Sequence, residues 1–203
     1  MKILVIAEHN NEIVKASTFS TINAASQIDQ NIDVLVVGSD CNNVTSELSN
    51  TQYIKKILLI DDTKFQNPIA ENISKIITSC AEEYTHILAP ASTFGKNIMP
   101  RVAALLDVAQ ISDIIKIEGE DTFVRPIYAG NALATVQSHD SKKVITVRPT
   151  SFDAVSKEGG NGEIQKLDLD IDISNVEFMG REETKSDRPE LGSARVVISG
   201  GRG

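Results

Sequence analysis

The sequence predicts the α/β class: a largely parallel sheet covered by helices on both faces, with antiparallel strands added late in the chain. Three observations predict it. Short β-branched runs begin near residues 3, 33, 56 and 86, about one strand–helix unit apart. Helical periodicity fills the gaps between them. Beyond residue 110 the helical period disappears and only β-type runs remain.

The elements follow in order. Ile3–Ala7 is an apolar run that starts almost at the first residue, with no apolar signal core and no Arg-rich transit helix before it. Glu12–Gln30 then carries Ile13, Ala16, Phe19, Ile22, Ala25 and Ile28 at helical spacing. Asp33–Val37 is the second run, followed by a polar, cap-rich segment from Asn42 to Gln52. Lys56–Ile60 is the third. Pro68 opens a helix bearing Ile69, Ile73, Ile76, Ile77 and Cys80. His86–Ala89 is the fourth run and Gly95–Leu106 the helix after it. Runs apolar on both faces are what a buried parallel sheet needs.

Ser112–Glu118, Thr122–Tyr128, Ala132–Ser138 and Lys143–Val147 are separated by turn signals with no room for helices. They are expected to pair antiparallel, extending or capping the parallel sheet. Gly159, Gly160 and Gly162 mark a flexible break. After it come an alternating exposed strand (LDLDIDI), an acidic connector (EETKSDRPE), and a fresh strand, Ala194–Ser199, that runs into a glycine turn.

Composition excludes several functions. Of 203 residues 41% are apolar, enough for a real core, but only 4% are aromatic and none is Trp. Lys plus Arg is 20 against 28 Asp plus Glu, a net charge of -8, and no basic cluster stands ready to neutralise phosphates. A nucleic-acid partner is therefore not expected. No apolar run approaches the length of a membrane span, so no membrane insertion is expected. Cys41 and Cys80 stand apart in no metal-ligand spacing and read as reduced thiols.

No site of hydrolysis or metal binding is legible. His9, His86 and His139 lack a patterned nucleophile, and His86 reads as a satisfied core histidine within a strand. Asp168, Asp170 and Asp172 alternate as one solvated strand face. The turn after the first run, AEHNNE, holds neither a dinucleotide nor a P-loop glycine pattern. Ser92 and Thr93 precede a helix and fit a plain N-cap better than an anion site. The terminal SGGRG has glycines that let a backbone approach a phosphate or ring, with Arg202 supplying charge. Adenylating enzymes with an SGG-x-DS loop begin similarly, but that loop follows their first strand and continues in Asp-Ser, which this chain lacks.

Several blocks together resemble one family, the α subunit of electron-transfer flavoprotein. They are Ile3–Glu8 (ILVIAE), Ile111–Ile115 (ISDII), Asp121–Val136 (DTFVRPIYAGNALATV), Val147–Ala154 (VRPTSFDA), Ser186–Leu191 (SDRPEL) and Arg195–Gly203 (RVVISGGRG). They keep the family's order and spacing along the whole chain. The resemblance implies a Rossmann-like or adenine-nucleotide-hydrolase-like three-layer sandwich that packs on a β subunit. It also implies a second domain holding FAD, and electron transfer from acyl-CoA and related dehydrogenases to a membrane quinone oxidoreductase, with no enzymatic turnover of its own. The compartment implied is the bacterial cytoplasm, or the mitochondrial matrix after loss of a transit peptide.

Mapped onto this chain, residues 1–183 are the first domain and 184–203 a connector plus the first strand of a truncated FAD-binding domain. The chain is then expected to be a scaffold and partner-binding fragment. Arg202 falls on a flavin-contact position, with Gly200 and Gly201 shaping its loop. Arg125, Tyr128 and Asn131 are the candidates for partner contact. Gly130–Asn131 signals a tight turn at a strand end, where either a partner docks or a hairpin simply touches nothing. The alternative for the whole chain is a free-standing nucleotide-binding α/β module.

Overall fold

A computed structural model describes residues 1–169, 176–180, 182, 194 and 196–201. The first strands are β1 (Ile3–Ile6), β2 (Ile32–Gly38), β3 (Ile54–Asp61) and β4 (His86–Pro90). The helices between and after them are α1 (Ala16–Ser26), α2 (Asn42–Ser49), α3 (Ala70–Cys80) and α4 (Thr93–Leu105). Then come β5 (Gln110–Ile114), β6 (Lys116–Ile117), β7 (Thr122–Ile127), β8 (Ala132–Gln137), β9 (Lys143–Val147) and β10 (Glu163–Lys166). Seven strands form one sheet in the order β10-β3-β2-β1-β4-β9-β5, every pairing parallel. The expected α/β sandwich is what folds.

Two apolar layers sandwich the sheet because strand side chains alternate. Ile3 and Val5 join α1 and α2 through Phe19, Ile22, Val44 and Leu48. Leu4 and Ile6 point the other way, to Ile73, Ile76 and Ile77 of α3 and to Ile98 and Val102 of α4. Each such side chain contributes roughly 1.5–3 kcal/mol when fully buried.

Four local readings change. The first helix starts at Ala16, and Ile13 lies before it, 60% exposed. The Asn10 side chain accepts from the N–H groups of Glu12 (3.1 Å) and Ile13 (2.7 Å), which holds that stretch in a turn. The polar segment after β2 is helix α2, which buries Val44, Thr45 and Leu48 on one side. The Gly159–Gly162 break is packed down. Gly160 donates to Asn50 O at 2.8 Å, and a Cβ there would sit 2.0 Å from Thr51 O. The strand found here is β10, on the edge beside β3, and residues 167–169 of the expected LDLDIDI strand, just after it, are not in a strand. Residues 170–173 of the expected LDLDIDI strand are outside the described residues.

The antiparallel expectation holds for part of the late chain. β6, β7 and β8 form a separate three-stranded antiparallel sheet. β5 and β9 do not: β9 inserts between β4 and β5, parallel to both. The β6–β8 arm is itself the crossover that brings the chain back in parallel, so no helix is needed between β5 and β9. The expected Ala194–Ser199 strand is not formed among its described residues, and Ile198 there is 94% exposed.

Candidate functional site

In an open parallel sheet, ligands bind beyond the carboxyl ends of the strands where the strand order reverses. Here that point lies between β1 and β4. A cavity of about 570 Å³ opens there, lined by Glu8, His9, Asn10, Asn11 and Lys15, by Gln66–Pro68, and by Phe94 and Phe178.

The chain's own side chains already engage donors at the edge of this cavity. Asn10 takes two N–H groups of the loop, as above. Ser17 in the first turn of α1 donates to the Glu8 carboxylate at 2.9 Å, and Thr18 Oγ1 accepts from Glu8 N–H at 2.9 Å. An arriving anion meets a carboxylate already seated at the helix N-terminus, where the dipole favours negative charge. The missing glycine loop read from sequence thus has a structural counterpart.

Acid–base chemistry is tuned away as well. His9 and Cys41 converge on Gly38, where an added Cβ would come within 2.9 Å of both. Burial pulls the His9 imidazole down to about 4, against a hydrogen bond to Val37 that opposes it, and Nδ1 accepts from Asn11 N–H at 3.0 Å. Burial, then the Asp61 and Asp40 carboxylates, push the Cys41 thiol up to about 11. A neutral imidazole beside a protonated thiol makes no nucleophile at neutral pH. His86 is the core histidine expected, its Nε2 2.6 Å from Glu120 O and its basicity lowered by burial. Ser92 caps α4, accepting from Gly95 N–H at 3.4 Å.

The partner candidates lie on the β6–β8 arm. Tyr128 is 79% exposed at its tip, and Tyr128, Ala129 and Gly130 all have positive φ, of 51°, 54° and 92°. Left-handed backbone at non-glycine residues is costly and is retained where surroundings or function demand it. Asn131 closes the turn, its N–H donating to Tyr128 O at 3.1 Å. Arg125 is placed differently. It points from β7 into a cavity of about 370 Å³ at the base of the arm, away from the tip residues.

Sequence reasoning missed two features here. One is that Arg125 Nε is buried with no hydrogen-bond partner. The other joins two of the resembling blocks: Arg148 of VRPTSFDA grips Asp113 of ISDII with Nε and a terminal nitrogen. Both are tertiary facts. The available signal was the Arg-Pro pair that each arginine begins, Arg125–Pro126 and Arg148–Pro149.

The flavin candidates do not assemble a cradle among the described residues. A Cβ added at Gly200 or Gly201 would meet no atom within 4 Å, so nothing presses against those glycines. Arg202 is outside the described residues. Among the described residues, nothing closes around Gly200 and Gly201 as a flavin site would. Also among the described residues, no helix is long and apolar enough to cross a membrane.

Comparison with known proteins agrees with the motif blocks. The family model described as "Electron transfer flavoprotein domain" matches residues 3–172. The chain is 49% identical over 203 residues to "Electron transfer flavoprotein subunit alpha" of Pseudomonas aeruginosa, covering 100% of this chain and 66% of that one. It is 45% identical over 216 residues to the mitochondrial subunit alpha of Dictyostelium discoideum, covering 98% and 61%. With the Bradyrhizobium diazoefficiens subunit alpha the identity is 45% over 202 residues, covering 100% and 64%. The chain thus spans less than two thirds of the length of these relatives. On the family match and these identities, the chain belongs to the electron transfer flavoprotein domain family.

Proposed function

We propose that this chain is the scaffold and partner-binding part of an electron transfer flavoprotein α subunit, an electron carrier and not an enzyme. Residues 1–183 serve as the domain that packs on a β subunit, and 184–203 as the connector toward a flavin-binding domain. In the complete heterodimer FAD accepts electrons from acyl-CoA and related dehydrogenases and gives them to a quinone oxidoreductase. The compartment that goes with this reading is the bacterial cytoplasm, or the mitochondrial matrix for an organelle-targeted chain.

The observation that carries the reading is that N–H groups bordering the crevice at the β1–β4 reversal are taken by the chain's own side chains. With Asn10 holding two N–H groups of the loop and Glu8 holding Ser17, the fold keeps the shape of a nucleotide domain without its binding loop. That argues against a free-standing nucleotide-binding module. It leaves the exposed arm, with Tyr128 at its strained tip, as the feature that calls for a partner.

The test is gel filtration of the chain mixed with an electron transfer flavoprotein β subunit from the same organism. A stable one-to-one complex is expected, weakened by Tyr128→Ala. Separate elution of the two chains at micromolar concentration would refute the reading.

A further inference from the structure

Three arginines fall among the described residues, and two of them hold carboxylates: Arg101 pairs with Glu71 at 2.8 Å, and Arg148 with Asp113. Arg125 holds none. Its Nε is shielded from solvent yet bonded to nothing. A buried donor without a partner is costly, most of all on a charged group, so native structures rarely leave one unsatisfied.

A cavity lies beside it. The cavity of about 370 Å³ lies between Ala109–Ile111 at the start of β5 and Val136–Asp140 at the end of β8. Gln110, Gln137 and Ser138 offer neutral polar groups there. The lining holds one acid, Asp140, whose Oδ2 is turned to Ala109 N–H, accepting at 2.9 Å. A guanidinium presenting Nε–H beside a terminal N–H matches the two oxygens of a carboxylate.

The cavity also opens where two sheets end. β5 is the last strand of the main sheet and β8 the last of the arm, so neither has a neighbour on its outer side among the described residues. An approaching chain can lie along such edges. A free anion faces a protein of net charge -8, whereas a side chain is delivered by the contacts around it.

We propose that Arg125 is the socket for an aspartate or glutamate side chain of the partner subunit, received in the cavity between β5 and the β7–β8 hairpin. This rests on the partner reading above and gives the recognition a definite chemistry. The carboxylate supplies the hydrogen bond that Arg125 Nε lacks in the single chain.

The experiment follows the Arg125 Nε–H signal by ¹⁵N NMR in the whole chain, alone, with the β subunit, and with sodium acetate alone. Affinity is measured in parallel for the Arg125→Gln, Tyr128→Ala and Arg101→Gln variants. The socket predicts a saturable one-to-one shift of the signal with the β subunit. It also predicts a loss of affinity of about 30-fold for Arg125→Gln and none for Arg101→Gln. If Arg125→Gln does not fold, the wild-type signal still decides.

A complex that is weakened by Tyr128→Ala, with the Arg125 signal unmoved and Arg125→Gln binding normally, overturns the socket and leaves the partner reading standing. No complex at all overturns both. An equal shift with acetate alone overturns the socket in favour of a small-anion site.

Discussion

Arg148 and Asp113 lie 35 residues apart and meet where β5 breaks register with β9. Asp113 sits in left-handed backbone with φ of 59°, between Ile111 and Ile114 of that irregularity. Its own N–H donates to Thr146 Oγ1 at 2.8 Å, and Arg148 N–H donates to Ile114 O at 3.0 Å. Side chain and backbone together clamp the edge strand from which the arm departs.

The pair stands partly in solvent, so its own contribution is modest, about 1 kcal/mol or less. Asp113→Ala is expected to lose the pair and keep the unfavourable φ. Asp113→Gly loses the same pair but relieves the backbone, and is expected to be more stable than Asp113→Ala by about 1 kcal/mol. Urea denaturation of both variants measures the difference. Equal stability would mean that the left-handed backbone there carries no cost.

Acid should destabilise the fold through its histidines. His9, near 6.5 when unfolded, falls to about 4 when folded because burial disfavours the imidazolium. Its folded pKa is depressed, so the folded state binds the proton less readily than the unfolded state. Stability is therefore full above pH 6.5 and is lost as pH falls toward 4, by on the order of 3 kcal/mol at the lower end. His86 shifts in the same direction. In His9→Gln the slope of unfolding free energy across that window should flatten, and an unchanged slope would remove His9 from the account.

Glycines at two turns are expected to behave differently when replaced. Gly160→Ala drives a Cβ into Thr51 O, 2.0 Å away, and should cost 3 kcal/mol or so, since backbone cannot step aside cheaply. Gly130→Ala meets nothing within 4 Å and is penalised only by its φ of 92°, at about 1 kcal/mol. Thermal unfolding of the two variants separates packing from backbone strain.

The chain's β1–β4 core was legible because its apolar runs and helical spacing are local signals. α2 was hidden because its Asn, Ser and Thr residues favour caps and turns, while only Val44 and Leu48 are apolar on a buried face that also takes in Thr45. The place of β9 was hidden for another reason. Its neighbours, β4 and β5, are set by an excursion through the arm, and local spacing does not encode which edge a returning strand will join. Gly160 read as flexible because composition cannot show Thr51 above it.

At the site level, the turn at Gly130–Asn131 and the absence of a phosphate loop were written in the residues themselves. The unpartnered Arg125 Nε and the Arg148–Asp113 clamp exist only once distant strands are assembled. Arg202 lies outside the described residues, and Gly200 and Gly201 stand in open space, so their proposed flavin role rests on motif position alone.

The scaffold reading bears most directly on flavin retention by the chain alone. A glycine turn and one arginine offer a few hydrogen bonds of about 1 kcal/mol each, against several kcal/mol lost on association. The decisive measurement is the visible absorption spectrum of the chain after incubation with FAD and gel filtration. A colourless protein peak, with the flavin eluting separately, is the predicted result; a yellow peak carrying one FAD per chain would contradict the account.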